Sequence, residues 1–273
     1  MLGQALVAHL PAGGHPVVGS FAGRKDGDIA DAPLVAAALD RLRPEVVFNA
    51  AAWTDVDGAE DHPQEARRAN AEGPEVLARA CAARGIHLVH YSTDFVFDGE
   101  RETPYDESIA PRPQSVYAAT KLEGERRVEA ACPQSFVLRV GCLYGHGGRN
   151  FPSTVLRRLR AGELIRADFE RRVSPTWVVP VAELSARLAG TSHFGLYHST
   201  AQGETCWSDF ARFVADTAGL TDARVEAVAG SALKLKAARP RRAVLISQRL
   251  PELGLDRLPS WQDQARAYIA SSS

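Results

Sequence analysis

Across the first ten residues, Leu2, Ala5, Leu6 and Leu10 recur at helical spacing and predict a helix over Leu2–Leu10, stopped by Pro11-Ala12-Gly13-Gly14. His15–Phe21, β-branched at Val17 and Val18, then predicts a short buried strand, with a loop over Ala22–Asp31 behind it. A helix from Pro33 to Leu42 leads into the apolar strand Glu45–Ala50. The cycle repeats with a helix over Pro63–Arg84, stopped by Gly85, and the strand Ile86–Tyr91. It repeats again with a helix near Ser115–Ala131 and the strand Ser135–Val140. Helices alternating with mostly apolar strands predict a doubly wound α/β fold, a parallel sheet covered on both faces.

Beyond Gly148 the rhythm loosens. Helices are predicted over Phe151–Ala161, Trp207–Ala218 and Ser260–Ala270, strands over Gly195–Ser199 and Arg224–Val228, and a strand-to-helix transition over Trp177–Ala189. Ser271–Ser273 reads as a frayed tail. The expected organisation is a first domain over 1–150 and a smaller lobe over 151–273, with 177–200 returning to the first domain.

Composition narrows the function. In 273 residues, 32 Lys and Arg stand against 33 Asp and Glu, a net charge of -1 that argues against a nucleic-acid or membrane-surface partner. No apolar run approaches the roughly eighteen residues of a membrane span, and no signal-peptide pattern opens the chain. Cys81, Cys132, Cys142 and Cys206 lie far apart and form no CxxC, so neither a zinc site nor a disulfide framework is expected, and reduced thiols in a cytoplasm are. His87 and His90 flank a strand end without metal-ligand spacing, and no metal is expected.

The local chemistry centres on Tyr117-Ala118-Ala119-Thr120-Lys121, which puts a phenol and an ammonium one helical turn apart on the same face. A cation there favours the phenolate, so the tyrosine pKa is expected to fall toward working pH. The preceding strand ends in Ser92-Thr93-Asp94 at the sheet edge where doubly wound folds bind ligands, although a helix cap or turn also explains these residues. Asn49-Ala50-Ala51-Ala52 ends the strand before it with small side chains, suited to a flat ligand or to close helix packing.

These stretches together resemble the extended short-chain dehydrogenase/reductase superfamily and, within it, the dTDP-4-dehydrorhamnose reductases. The resemblance runs through Val47–Glu60, Asn70-Ala71-Glu72-Gly73-Pro74, His90–Gly99, Val116–Glu125, Ser174-Pro175-Thr176, Gly195–His198 and Arg239-Pro240. It implies a Rossmann-like dinucleotide-binding domain with a C-terminal substrate lobe. It also implies hydride transfer from a nicotinamide cofactor to the C4 ketone of a nucleotide-diphosphate 4-keto-6-deoxy sugar. In that role Tyr117 supplies the proton, Lys121 holds the nicotinamide ribose and Thr93 hydrogen-bonds the reacting oxygen. The cofactor is expected against Gly3, Arg24, Asp28, Ile29, Asn49, Ala50, Ala51, Ala52, Tyr91, Ser92, Tyr117 and Lys121. The sugar nucleotide is expected against Asp94, Phe95, Cys142, Asn150, Arg172, Pro175 and Arg239. Arg24 and Lys25 suit a 2′-phosphate, which favours NADPH over NADH.

The chain also departs from that pattern. The superfamily opens with a strand and a Gly-x-x-Gly-x-x-Gly turn, of which Gly3 matches the third glycine. An upstream start is therefore expected, and a chain made from Met1 is expected to bind NADPH poorly in a fluorescence titration. Cys142 stands where the reductases usually carry a tryptophan, and Phe95 where a tyrosine is more usual. Two other functions stay open: an epimerase-reductase using Cys142 as acid, and a regulatory subunit that binds dinucleotide without turnover. Oligomeric state is left open, a homodimer included.

Overall fold

The computed structural model describes residues 1–21 and 27–271. Arg24, Lys25 and the last two serines of the predicted tail lie outside the described residues.

The chain begins with α1 (Leu2–His9), whose apolar face is Leu2, Ala5 and Leu6. Asp31 caps α2 (Ala32–Leu42) by accepting Leu34 N–H, and β1 (Val46–Asn49) follows. Two short helices, α3 (Val56–Asp61) and α4 (Pro63–Arg67), lead through a wide π turn over Arg68–Glu72 into α5 (Gly73–Ala82). The chain then forms β2 (His87–Thr93), α6 (Val116–Ala131, capped by Ser115) and β3 (Ser135–Val140). The rest comprises β4 (Leu143–Tyr144), α7 (Phe151–Arg160), β5 (Ile165–Asp168), β6 (Arg172–Val173), β7 (Thr176–Trp177) and α8 (Val178–Ala189). After these come β8 (Gly195–His198), α9 (Trp207–Thr217), β9 (Val225–Val228), β10 (Arg242–Ala243), α10 (Arg249–Glu252) and α11 (Trp261–Ala270).

The main sheet has the order β1-β2-β3-β8, and every pairing is parallel. Alternation along its strands divides the core. Leu88 and Val137 face α2, α5 and α6, packing with Val35, Leu39, Leu77, Cys81 and Val128. Val89, Tyr91, Phe136 and Leu138 face the other way, against Leu6 of α1 and Val181, Leu184 and Leu188 of α8. The two central strands, β2 and β3, are thus buried on both sides, as the middle of a parallel sheet requires. A separate cluster of Val155, Leu156, Ile165, Phe210, Val214, Trp261 and Tyr268 joins α7, β5, α9 and α11 into a second packing unit.

The predicted strand over His15–Phe21 does not form. Residues 15–20 carry no regular structure, and Val18 and Phe21 are 54% and 45% exposed. A strand exists only against a neighbour, and the outer edge of β1 has none among the described residues. The two-residue strands β4, β6 and β10 are not predicted, because they are too short to carry a period, whereas β7 running into α8 matches the expected strand-to-helix transition at Trp177.

One glycine sets the approach of α6 to the wide turn before α5. A Cβ on Gly124 would come within 2.0 Å of the Asn70 carbonyl oxygen, so the helix packs directly on backbone. Gly124→Ala is expected to cost about 1–3 kcal/mol by forcing the two segments apart, read as a lower urea midpoint. An unchanged midpoint contradicts this packing.

Candidate active site

The carboxyl end of β2 gathers most of the expected chemistry. Thr93 Oγ1 donates to Asp94 Oδ1 at 3.1 Å and accepts the Phe95 N–H at 3.2 Å. The hydroxyl therefore caps the short turn over Asp94–Val96 and also faces the Tyr117 phenol. Tyr117 sits in the first turn of α6, its ring meeting Phe95 edge-on at 5.9 Å between centroids. One turn on, Lys121 is 2% exposed and its Nζ donates to the Tyr91 carbonyl at 2.6 Å.

The electrostatics differ from the expectation for Tyr117. Burial pushes its phenol up to about 12; the Thr93 hydrogen bond pulls the other way, and the neighbouring Asp94 carboxyl adds to the rise. Lys121 is not among the groups that shift the phenol; its Nζ points to the Tyr91 carbonyl, and burial brings it down to about 8 against the pull of Glu125. The tyrosine is thus a neutral phenol. Burial likewise lifts Asp94 to about 7, and its Oδ2 is buried without a hydrogen-bond partner. The Cys142 thiol is pushed well above its ordinary value by burial and by Asp94, which deprives it of thiolate character.

Cys142 takes a left-handed backbone, φ 46°. Its carbonyl accepts Thr176 N–H at 3.2 Å, which brings the buried Pro175 beside it. Gly3 of α1 lies against the end of β1, where an added Cβ would stand 3.6 Å from Ala50 Cβ. The N-terminal turn of α1 has no side-chain cap, and Ala50, Ala51 and Ala52 are exposed. A helix N-terminus beside open small residues fits a dinucleotide phosphate. Ile29 packs on Gly73, and Asp28 pairs with Arg68 at 2.8 Å.

Other expected residues are engaged elsewhere. The Ser92 hydroxyl turns inward to Glu125, which also forms a buried two-point ion pair with Arg139 at 2.9 and 2.7 Å. Asn49 spends its side-chain NH₂ on His90 Nδ1 at 3.0 Å, and the Tyr91 hydroxyl donates to Ser185 at 2.8 Å. Asn150 caps α7 in a reciprocal pair with Ser153, and its NH₂ donates to the Gly145 carbonyl at 2.6 Å. Arg172 pairs with Glu204 at 3.2 Å. Sequence reasoning missed Asn70 as a site residue, although it lies in a resembling stretch. Its Oδ1 accepts Trp53 N–H at 2.8 Å and its Nδ2 donates to Thr120 at 3.2 Å, clamping the loop after β1 to α6.

Arg239 belongs to a strap over 236–241. Asp57 Oδ1 accepts Lys236 N–H at 3.0 Å, Ala237 N–H at 2.8 Å and Arg239 Nη1 at 2.8 Å. Pro240 and Arg241 then press on Gly99, just past β2. These bonds, led by Arg239, bring Asp57 down to about 2. The folded pKa is depressed, so the tether is complete above the ordinary carboxyl range and is lost as pH falls from ~4 toward about 2. Limited proteolysis of the strap is expected to accelerate across that window. In Asp57→Asn it is expected to be fast throughout; a flat profile in the unsubstituted chain contradicts this.

The RmlD substrate binding domain model matches residues 1–273, the whole chain. The chain belongs to this family. It is 38% identical to a dTDP-4-dehydrorhamnose reductase of Streptomyces griseus, covering 96% of this chain and 88% of that one. The crystal structure of a dTDP-4-dehydrorhamnose reductase from Clostridium acetobutylicum superposes with a TM-score of 0.94 at 31% identity, covering 100% of this chain and 96% of that one. The dTDP-4-dehydrorhamnose reductase of Bacillus anthracis, in complex with NADP, superposes with a TM-score of 0.95 at 30% identity, covering 99% and 95%. Against these members of the RmlD substrate binding domain family, the doubly wound parallel fold expected from sequence is correct.

Proposed function

We propose that this chain is an NADPH-dependent reductase that converts the C4 ketone of a nucleotide-linked 4-keto-6-deoxy sugar to an alcohol. The observation that carries this is the meeting of Thr93, Tyr117 and Lys121 at the carboxyl end of β2, in a chain of this family. The NADP complex of the Bacillus anthracis relative supports the cofactor, and the Streptomyces griseus relative supports the substrate class.

When bound, NADPH supplies the hydride. This chain's residues supply position and a proton. The N-terminal turn of α1 and the exposed Ala50–Ala52 backbone receive the dinucleotide. Lys121 has N–H donors beyond the one used on Tyr91, and these hold the nicotinamide ribose. Thr93 and Tyr117 hydrogen-bond the ketone oxygen. Tyr117, half-buried and kept neutral by the desolvation of its phenol, transfers its proton as that oxygen becomes an alkoxide. Phe95, Cys142 and Pro175 form the wall against the sugar, with Asp94 buried behind it.

The test is incubation with dTDP-4-keto-6-deoxy sugar and NADPH while following the reduced-cofactor absorbance. Net oxidation with formation of the 4-hydroxy sugar is the expected result. Isomer exchange without net oxidation overturns it in favour of epimerase chemistry, and binding without turnover in favour of a regulatory role.

A further inference from the structure

The proton that Tyr117 gives away must be replaced, and the residue beside it is built to do so. Asp94 is 2% exposed. Its Oδ2 is buried without a partner and lies against the backbone of Gly141, where an added Cβ would come within 2.6 Å of it. An ionised carboxylate with one oxygen in this state would carry a desolvation cost larger than the Thr93 hydroxyl and the backbone N–H groups of Asp94 and Phe95 offset. The titratable groups facing it are Tyr117 from α6 and Cys142 from the turn after β3. Both are acids, and no cation figures among the influences on Asp94. Its other oxygen, Oδ1, is 3.1 Å from Thr93 Oγ1, and the same hydroxyl faces Tyr117.

We propose that Asp94 is the proton reservoir of Tyr117, acting through Thr93. This rests on Tyr117 being the acid of the reaction proposed above. With the carboxyl proton on Oδ1, the Asp94–Thr93 contact runs from Asp94 to Thr93 Oγ1, which frees the threonine proton to face Tyr117. Once Tyr117 has protonated the substrate oxygen it is a phenolate. Thr93 passes its hydroxyl proton to that phenolate while its oxygen takes the carboxyl proton of Asp94. One O–H bond forms and one breaks at Thr93, which ends unchanged. Tyr117 ends as the phenol and Asp94 as the carboxylate, and Asp94 recovers its proton from water in the emptied cleft. The transfer runs downhill, from a carboxyl near about 7 to a phenol near about 12. Asp94 is therefore a positioning and relay residue; the group that touches the substrate is Tyr117.

The first test uses the full chain without substrate. Infrared difference spectra across neutral pH are expected to show a protonated-carboxyl band that fades as pH rises and shifts when aspartate is isotopically labelled. The same band should be missing in Asp94→Asn. Its absence from the unsubstituted chain at pH below neutrality overturns the proposal. The second test compares first and later turnovers with NADPH and the dTDP-sugar ketone. In Asp94→Asn the first turnover is expected at nearly the unsubstituted rate, with steady-state turnover lower by about tenfold or more. That pattern gives a burst of cofactor oxidation. Steady-state turnover of the unsubstituted chain should fall as pH rises through about 7, and the variant should lack that limb. Equal slowing of first and later turnovers marks a merely structural role and overturns the relay, as does no slowing at all. An unsubstituted chain that never oxidises NADPH overturns the reductase reading instead.

Discussion

Tyr117→Phe is expected to lower kcat by about 10²–10⁴-fold while leaving NADPH affinity nearly unchanged. The substitution removes one oxygen and keeps the ring, so the edge-on contact with Phe95 at 5.9 Å survives. The cofactor contacts assigned to α1, the Ala50–Ala52 segment and Lys121 do not use the phenol oxygen. What disappears is the proton donor: burial holds Tyr117 near about 12, so the phenol stays protonated over the whole neutral range. Thr93 is left to face an alkoxide without an acid beside it. Reduced-cofactor absorbance reads the rate, and fluorescence titration reads the affinity. Near-normal rates would remove Tyr117 from the mechanism, and a matching loss of affinity would make its role one of binding.

Arg139→Leu is expected to be the most destabilising single change named here, by about 3–5 kcal/mol in urea unfolding. Arg139 on β3 and Glu125 on α6 are 3% and 4% exposed and share two charge-assisted bonds, with Ser92 of β2 donating to the same carboxylate. Removing the guanidinium strands a buried carboxylate between strand and helix. Replacing Glu125 as well, in an Arg139→Leu/Glu125→Leu chain, is expected to recover much of the loss, because the penalty comes from the unpaired charge. A single-variant cost below about 1 kcal/mol would mean that water reaches the pair.

The legible and illegible parts of this molecule separate by physical cause. The helix over Val116–Ala131 could be read because Ser115 announces its cap and Tyr117 and Lys121 fall one turn apart. The strand Ser135–Val140 could be read because Phe136, Val137, Leu138 and Val140 are apolar on both faces, as burial between two helix layers demands, although nothing local says that Arg139 is buried with them. His15–Phe21 carried the same β-branched signal, yet composition says nothing about whether a neighbour is present to pair with. The direction of the Tyr117 shift was also out of reach: spacing places a cation near the phenol but does not reveal how far the phenol is desolvated, nor that the ammonium donates to the Tyr91 carbonyl. Ser92 and Thr93 are adjacent in sequence, and the pleat sends one hydroxyl to Glu125 and the other to the site. Asn150, a substrate-side expectation, is occupied as a helix cap, a role its residue type suits equally well. The orphaned oxygen of Asp94 depends on contacts between β2 and the turn after β3, which no local pattern records.

The turn at Cys142 has a further consequence. Its backbone is set from both sides, by Gly141 lying on Asp94 and by the carbonyl that receives Thr176. A left-handed φ of 46° favours glycine or asparagine and gives no advantage to cysteine. The architecture thus prescribes the path of the chain at this position and leaves the side chain to selection. On the function proposed above, that side chain borders the substrate wall and passes no proton, so its exchange would change which sugar is accepted while the reductive chemistry stays as it is.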